Sequence, residues 1–195
     1  MAESQEFRLS LEAFIAKAMD NVAVVVQKTS VDLLTNVVMR TPVGNPELWA
    51  VNATAATYNS EVAKFNSALR NDASNLDKRG YLRRGKKLND GMDIVKPAGY
   101  VGGRLRANWG VSLNSPLFMQ VAEIDPSGNK TIADGRATIN TWSSGDTAIY
   151  MVNNLPYAMP VEYGHSKRQS PAGMVRVTAA EFQTYVSNAI VVLPK

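Results

Sequence analysis

A chain of 195 residues, 45% hydrophobic and 19% charged, is long enough to close one ordinary core and short for two independent ones, and this composition excludes wholesale disorder. It contains no cysteine, which rules out a disulfide framework, a thiolate nucleophile, an iron–sulfur cluster or a Cys-type zinc site and fits folding in a reducing cytoplasm. The net charge of +4 is too mild to argue for a nucleic-acid partner, but its distribution is uneven: Glu3, Glu6 and Glu12 make the start acidic, while Lys78, Arg79, Arg83, Arg84, Lys86 and Lys87 fall within ten residues.

The acidic start lacks the basic n-region of a signal peptide, and no apolar run approaches the roughly 18 residues of a membrane span, so neither export nor insertion is expected. From Ser10 to Arg40, Leu11, Ile15, Ala18, Val22, Val26, Thr29, Leu33 and Val37 recur at three- and four-residue steps. This spacing predicts a long amphipathic helix with Ser10 as its N-cap, Glu12 in the first turn and Pro42 as its stop. The β-branched run around Val22–Val26 lowers intrinsic helicity, so packing or a neighbouring subunit must hold this helix. Thr41-Pro42-Val43-Gly44-Asn45-Pro46 then reads as a turn-rich exit.

Residues 53–71 predict a second helix with Tyr58, Val62, Phe65 and Leu69 on one stripe, and residues 72–100, rich in glycine and basic side chains, predict a loop. Residues 44–98 therefore read as an insertion, an extended arm within a single domain 1–195. Leu105–Leu113 and Leu117–Ile124 have the look of two strands, with a turn at Asp125-Pro126-Ser127-Gly128-Asn129. A short helix is expected in Thr131–Trp142, a strand at Ala148–Val152, and helical spacing again from Ala172 through Met174, Val177, Phe182, Tyr185 and Ala189. The order predicts an α+β fold: a small antiparallel sheet packed by the long N-terminal helix and a C-terminal helix, with an inserted helix–loop arm.

The chemistry-bearing residues are few. His165 is the only histidine, with Glu162, Ser166 and Ser170 nearby, but no G-x-S-x-G elbow accompanies it, so no complete catalytic set is present and a structural histidine is expected. No metal-ligand set and no cofactor site emerge: Gly99-Tyr100-Val101-Gly102-Gly103-Arg104 lacks the P-loop spacing and its terminal Lys-Ser/Thr. The basic cluster Lys78–Lys87 has three readings: a solvated loop, a dock for an acidic partner, or a sequence-independent contact with a phosphate backbone. Pro156, Tyr157, Gly164, His165 and Gly173 are expected to shape a connector between a strand and the last helix.

Taken in order, Thr41-Pro42-Val43, Gly102-Gly103-Arg104-Leu105-Arg106-Ala107-Asn108-Trp109, Asn153-Asn154-Leu155-Pro156-Tyr157-Ala158, Glu162-Tyr163-Gly164-His165-Ser166 and Pro171-Ala172-Gly173-Met174-Val175 resemble the tail-completion or neck proteins of long-tailed bacteriophages. The resemblance covers residues 7–43 and 99–193. It departs where Gly102-Gly103 replaces the usual Asp-Thr-Gly and where more than fifty residues separate the Thr-Pro-Val turn from that segment. What the resemblance implies is a structural virion protein without catalysis. Such a protein is assembled in the host cytoplasm as a homo-oligomeric ring of six copies at the head–tail interface. There it joins the portal and adaptor proteins to the tail terminator or tail tube and lets DNA pass, with no membrane partner.

Overall fold

The computed structural model describes residues 2–166 and 168–193, with side chains from residue 5 on, that of His165 excepted. Contacts divide the chain into two compact units, residues 1–43 with 101–195, and Gly44–Tyr100. Helix and strand mix in an α+β fold of seven helices and one two-stranded antiparallel sheet among the described residues.

In the first unit, α1 runs from Ala2 to Arg40, about 58 Å at a rise of 1.5 Å per residue. Ser10 is therefore interior and does not cap it. The helix continues upstream because Gln5, Glu6 and Arg8 are good helix formers and because Arg8 pairs with Glu12 at 3.6 Å. Only its C-terminal half enters the core, where Leu34, Val37 and Val38 are buried with Leu105, Trp109, Ile139, Leu155, Val161 and Met174.

Within the second unit, α2 spans Ala53–Leu69. The expected stripe does not define its buried side, since Phe65 is 47% exposed. Asparagines at heptad spacing do. Asn52 Nδ2 donates to Val95 O at 2.8 Å and Asn52 Oδ1 accepts from Val95 N at 2.9 Å. Asn59 pairs with both backbone groups of Met92 at 2.8 and 2.7 Å, and Asn66 with both of Leu88 at 3.0 and 2.9 Å. Seven helical residues rise about 10.5 Å, close to three or four residues of extended chain, so one amide per two turns can grip the segment 88–95 backbone-to-side-chain.

Back in the first unit, α3 (Arg104–Ala107) leads into β1 (Trp109–Leu113); the expected strand Leu105–Leu113 thus begins with a helical turn. That turn buries Leu105 and frees Arg106 to reach the end of α1. The expected strand Leu117–Ile124 joins no ladder among the described residues. Its backbone is served by side-chain amides: Asn108 Nδ2 donates to Val121 O and Asn108 Oδ1 accepts from Val121 N, at 3.0 and 2.8 Å, and Asn154 Nδ2 donates to Leu117 O and Met119 O at 2.9 and 3.1 Å. Amides in those positions replace the partner strand the segment would otherwise need.

α4 (Asn129–Ile139) begins at the predicted turn. Asp125 caps it, accepting from Gly128 N at 2.8 Å and from Thr131 N and Oγ1 at 2.9 Å. β2 (Ile149–Asn153) pairs antiparallel with β1 in the register Trp109↔Asn153 to Leu113↔Ile149. α4 lies against both β1 and α1. After β2 come α5 (Ala158–Pro160) and a widened turn, Val161–His165, then α6 (Val175–Ala180) and α7 (Phe182–Val191), separated by a break at Glu181. α7 packs along α1, where Arg40 Nη2 binds Glu181 at 2.7 Å and Tyr185 donates to the same carboxylate.

Candidate functional site

Several of the quoted motifs meet at the C-terminal end of α1. Thr41 is fully buried; its Oγ1 donates back to Val37 O at 2.7 Å and accepts from Trp109 Nε1 at 2.7 Å. A helix end leaves carbonyls without partners, and cations suit its negative pole. Arg106 supplies this, donating to Thr41 O at 2.7 Å, Met39 O at 3.1 Å and Pro126 O at 2.6 Å. Burial lowers its pKa, while Asp125 opposes the shift. Gln169 Nε2 reaches Val43 O at 2.9 Å, and Asn153 Nδ2 reaches Leu105 O at 2.7 Å. The turn, the segment before β1, and the connector are thereby tied to one helix end.

In the connector, Leu155 is buried and Pro156-Tyr157 turns the chain, with Ala158 N donating to Leu155 O at 2.9 Å and Val161 N to Tyr157 O at 3.1 Å. The turn kinks at Tyr163 and at Gly164, whose φ of 90° is left-handed and suits glycine. Glu162, read from sequence as an acid near His165, caps α6: its carboxylate accepts from Met174 N at 2.7 Å, Val175 N at 2.8 Å and Arg176 N at 3.0 Å. Arg176 Nε adds 3.2 Å to the same carboxylate, Arg176 Nη2 donates to Glu162 O at 2.6 Å, and the guanidinium lies 5.1 Å from the Tyr163 ring. Burial pushes the Glu162 pKa up, but those hydrogen bonds outweigh it and leave the carboxyl below its ordinary value. Gly173 makes this approach possible, because with φ of 85° a Cβ there would stand 2.5 Å from Glu162 O.

The side chain of His165 lies outside the described residues, as does Lys167. Among the described residues no three His, Asp or Glu side chains gather as metal ligands. A cleft of about 300 Å³ between β1, α4 and the segment 117–123 includes Val111, Leu117, Val121 and Val152 in its lining. Its charges are committed: Lys130 binds Glu123 at 3.0 Å and Asp134 at 2.9 Å, and Asp125 serves α4.

The basic cluster lies in the second unit, in turns around the Leu76↔Leu82 bridge. Lys78, Arg79, Arg83, Arg84, Lys86 and Lys87 are all exposed, and among the described residues none forms an ion pair. Arg83 Nε donates to Leu76 O at 2.8 Å, and the Asp72 carboxyl is held below its ordinary value by hydrogen bonds from Ser74, with help from the charge of Lys86. Two features were invisible as sites in the sequence. The Asn52, Asn59 and Asn66 comb left a signal in its seven-residue spacing, whereas the cap made by Glu162 left none beyond an acid thirteen residues before a helix.

A further surface is the N-terminal half of α1, where every described side chain from Gln5 to Asp20 is exposed. Phe7 is 70% and Phe14 69% exposed. No helix of the described residues is long and apolar enough to cross a membrane. Comparison with protein-family models, with curated proteins and with solved structures finds no match for this chain.

Proposed function

We propose that this chain is a structural protein of the bacteriophage head-to-tail junction, a tail-completion or neck protein. It acts without catalysis, through contacts between copies and with the portal and adaptor proteins on one side and the tail terminator or tail tube on the other. Six copies form a ring whose lumen passes DNA. The physical support is one observation: some sixteen consecutive exposed residues of a single helix carry Phe7, Leu9, Leu11, Phe14, Ile15 and Met19. An exposed apolar surface of this size marks a contact site for a protein, a membrane or a ligand, and a protein is the occupant this reading assigns to it. The resemblance of the motifs at the end of α1 supplies the location. Disrupting the gene in the genome that encodes the chain should yield DNA-filled heads and separate tails; normal infectious particles would exclude the proposal.

The exposed basic cluster, in which no side chain among the described residues forms a close ion pair, favours one alternative, a nucleic-acid-binding module. It predicts a gel shift that weakens steeply with salt and is lost when Lys86 and Lys87 become glutamate. Absence of any shift at low salt removes it.

A further inference from the structure

The first unit leaves two apolar helix faces uncovered, and they are different. On α1, Phe7, Leu11, Phe14, Ile15, Ala18, Met19 and Val22 fall on one side by helical periodicity. Part of this stripe, Phe14, Ile15, Ala18, Met19 and Val22, forms with Ser144 a groove of about 250 Å³. The other side is more polar, with Glu6, Lys17 and Asp20 beside Leu9 and Ala13. On α7, Tyr185 and Ala189 turn inward and are buried, while Phe182 and Ile190 are about half exposed and Val186 between them is partly covered. These three positions step by four and share one side of the helix.

α7 is also without charge. From Phe182 to Val192 no Asp, Glu, Lys or Arg occurs, although Phe182, Gln183, Thr184, Ser187, Asn188, Ile190, Val191 and Val192 are exposed. Solubility alone would favour charges at such positions, and their depletion marks the centre of protein–protein contacts.

We infer that the N-terminal half of α1 of one copy packs into the uncharged outer face of α7 of the next copy. α7 already accepts an α1 helix on its inner side in its own chain, so the neighbour's α1 repeats an existing helix pairing on the adjacent face. The two faces are distinct, which makes the contact heterologous; each copy then gives one face and receives the other, and the series ends when it closes as a ring. The contact rests on the proposed ring and identifies its two halves.

The absence of cysteine allows a direct test on the full chain. Ala18→Cys and Ser187→Cys, both at exposed positions, are made in separate proteins, whose folding is checked by circular dichroism, and then mixed under mild oxidation. The mixture should give a disulfide-linked dimer that neither variant gives alone, and adding Ile190→Lys to the Ser187→Cys protein should reduce its yield at least tenfold. An Ala18→Cys protein that links to itself while the mixture gives nothing new would overturn the contact, as would a wild-type chain that stays monomeric at high concentration. A mixed cross-link formed by a chain absent from virions would retire the junction proposal and leave the contact standing. A ring at the junction linked only arm to arm would do the reverse.

Discussion

Single carboxylates cap α4 and α6, and their titration gives the fold a pH signature. Asp125 is raised by burial but brought down to about 2 by hydrogen bonds from Thr131, Ser127 and Gly128. A depressed carboxyl contributes stability that is present above its unfolded value near 4 and lost as pH falls through its folded value. For Asp125 the window runs from about pH 4 to about 2, and the contribution is roughly 2 kcal/mol. Thermal unfolding at pH 5 and pH 2.5 should therefore differ less in Asp125→Ala than in the wild type; an unchanged difference would contradict the cap. Glu162, depressed for the same kind of reason, should cost roughly 1–3 kcal/mol when changed to Gln, because one carboxylate oxygen serving backbone N–H groups is lost. Gly173→Ala should cost more than about 2 kcal/mol in denaturant titration, since a left-handed residue and the Glu162 carbonyl both oppose the new Cβ.

At the scale of elements, asparagine does the work usually given to strands. The segment 88–95 rides on α2 through Asn52, Asn59 and Asn66, and the segment 117–121 is held through Asn108 and Asn154. Asn59→Ala should leave α2 helical but speed amide hydrogen exchange at Met92, whose N–H donates to Asn59 Oδ1 at 2.7 Å; unchanged exchange there would show that the comb does not hold the segment. This also explains what was legible in the sequence. α2, α4 and β2 lie within about three residues of their periodic or β-branched patterns, although in α2 the stripe marks the helix and not its buried side. Leu117–Ile124 reads as a strand because apolar residues dominate it between turn signals, yet strand identity depends on a ladder partner that composition does not reveal. Ser10 reads as a cap because the apolar rhythm starts there, whereas the helix already includes the residues before it. Glu162 reads as chemistry because it lies near the only histidine, and only the return of Met174, Val175 and Arg176 to it reveals a cap.

For the whole molecule, the disposition of α1 sets the functional proposal. Its C-terminal half carries Leu34, Val37 and Val38 in the core, and Leu34→Ala should cost roughly 2–5 kcal/mol in denaturant titration. Its N-terminal half contributes nothing to that core, so Phe14→Ser should leave the unfolding free energy of the monomer within about 0.5 kcal/mol while abolishing self-association measured by light scattering. The central claim is that this chain forms a ring at a phage head-to-tail junction. Cryo-electron microscopy of particles produced from the genome that encodes it tests this most directly. The account predicts a closed ring of density at the junction into which the first unit fits, with the N-terminal half of each α1 against a neighbouring copy. Particles that lack the chain, or that carry it away from the junction, would contradict the account.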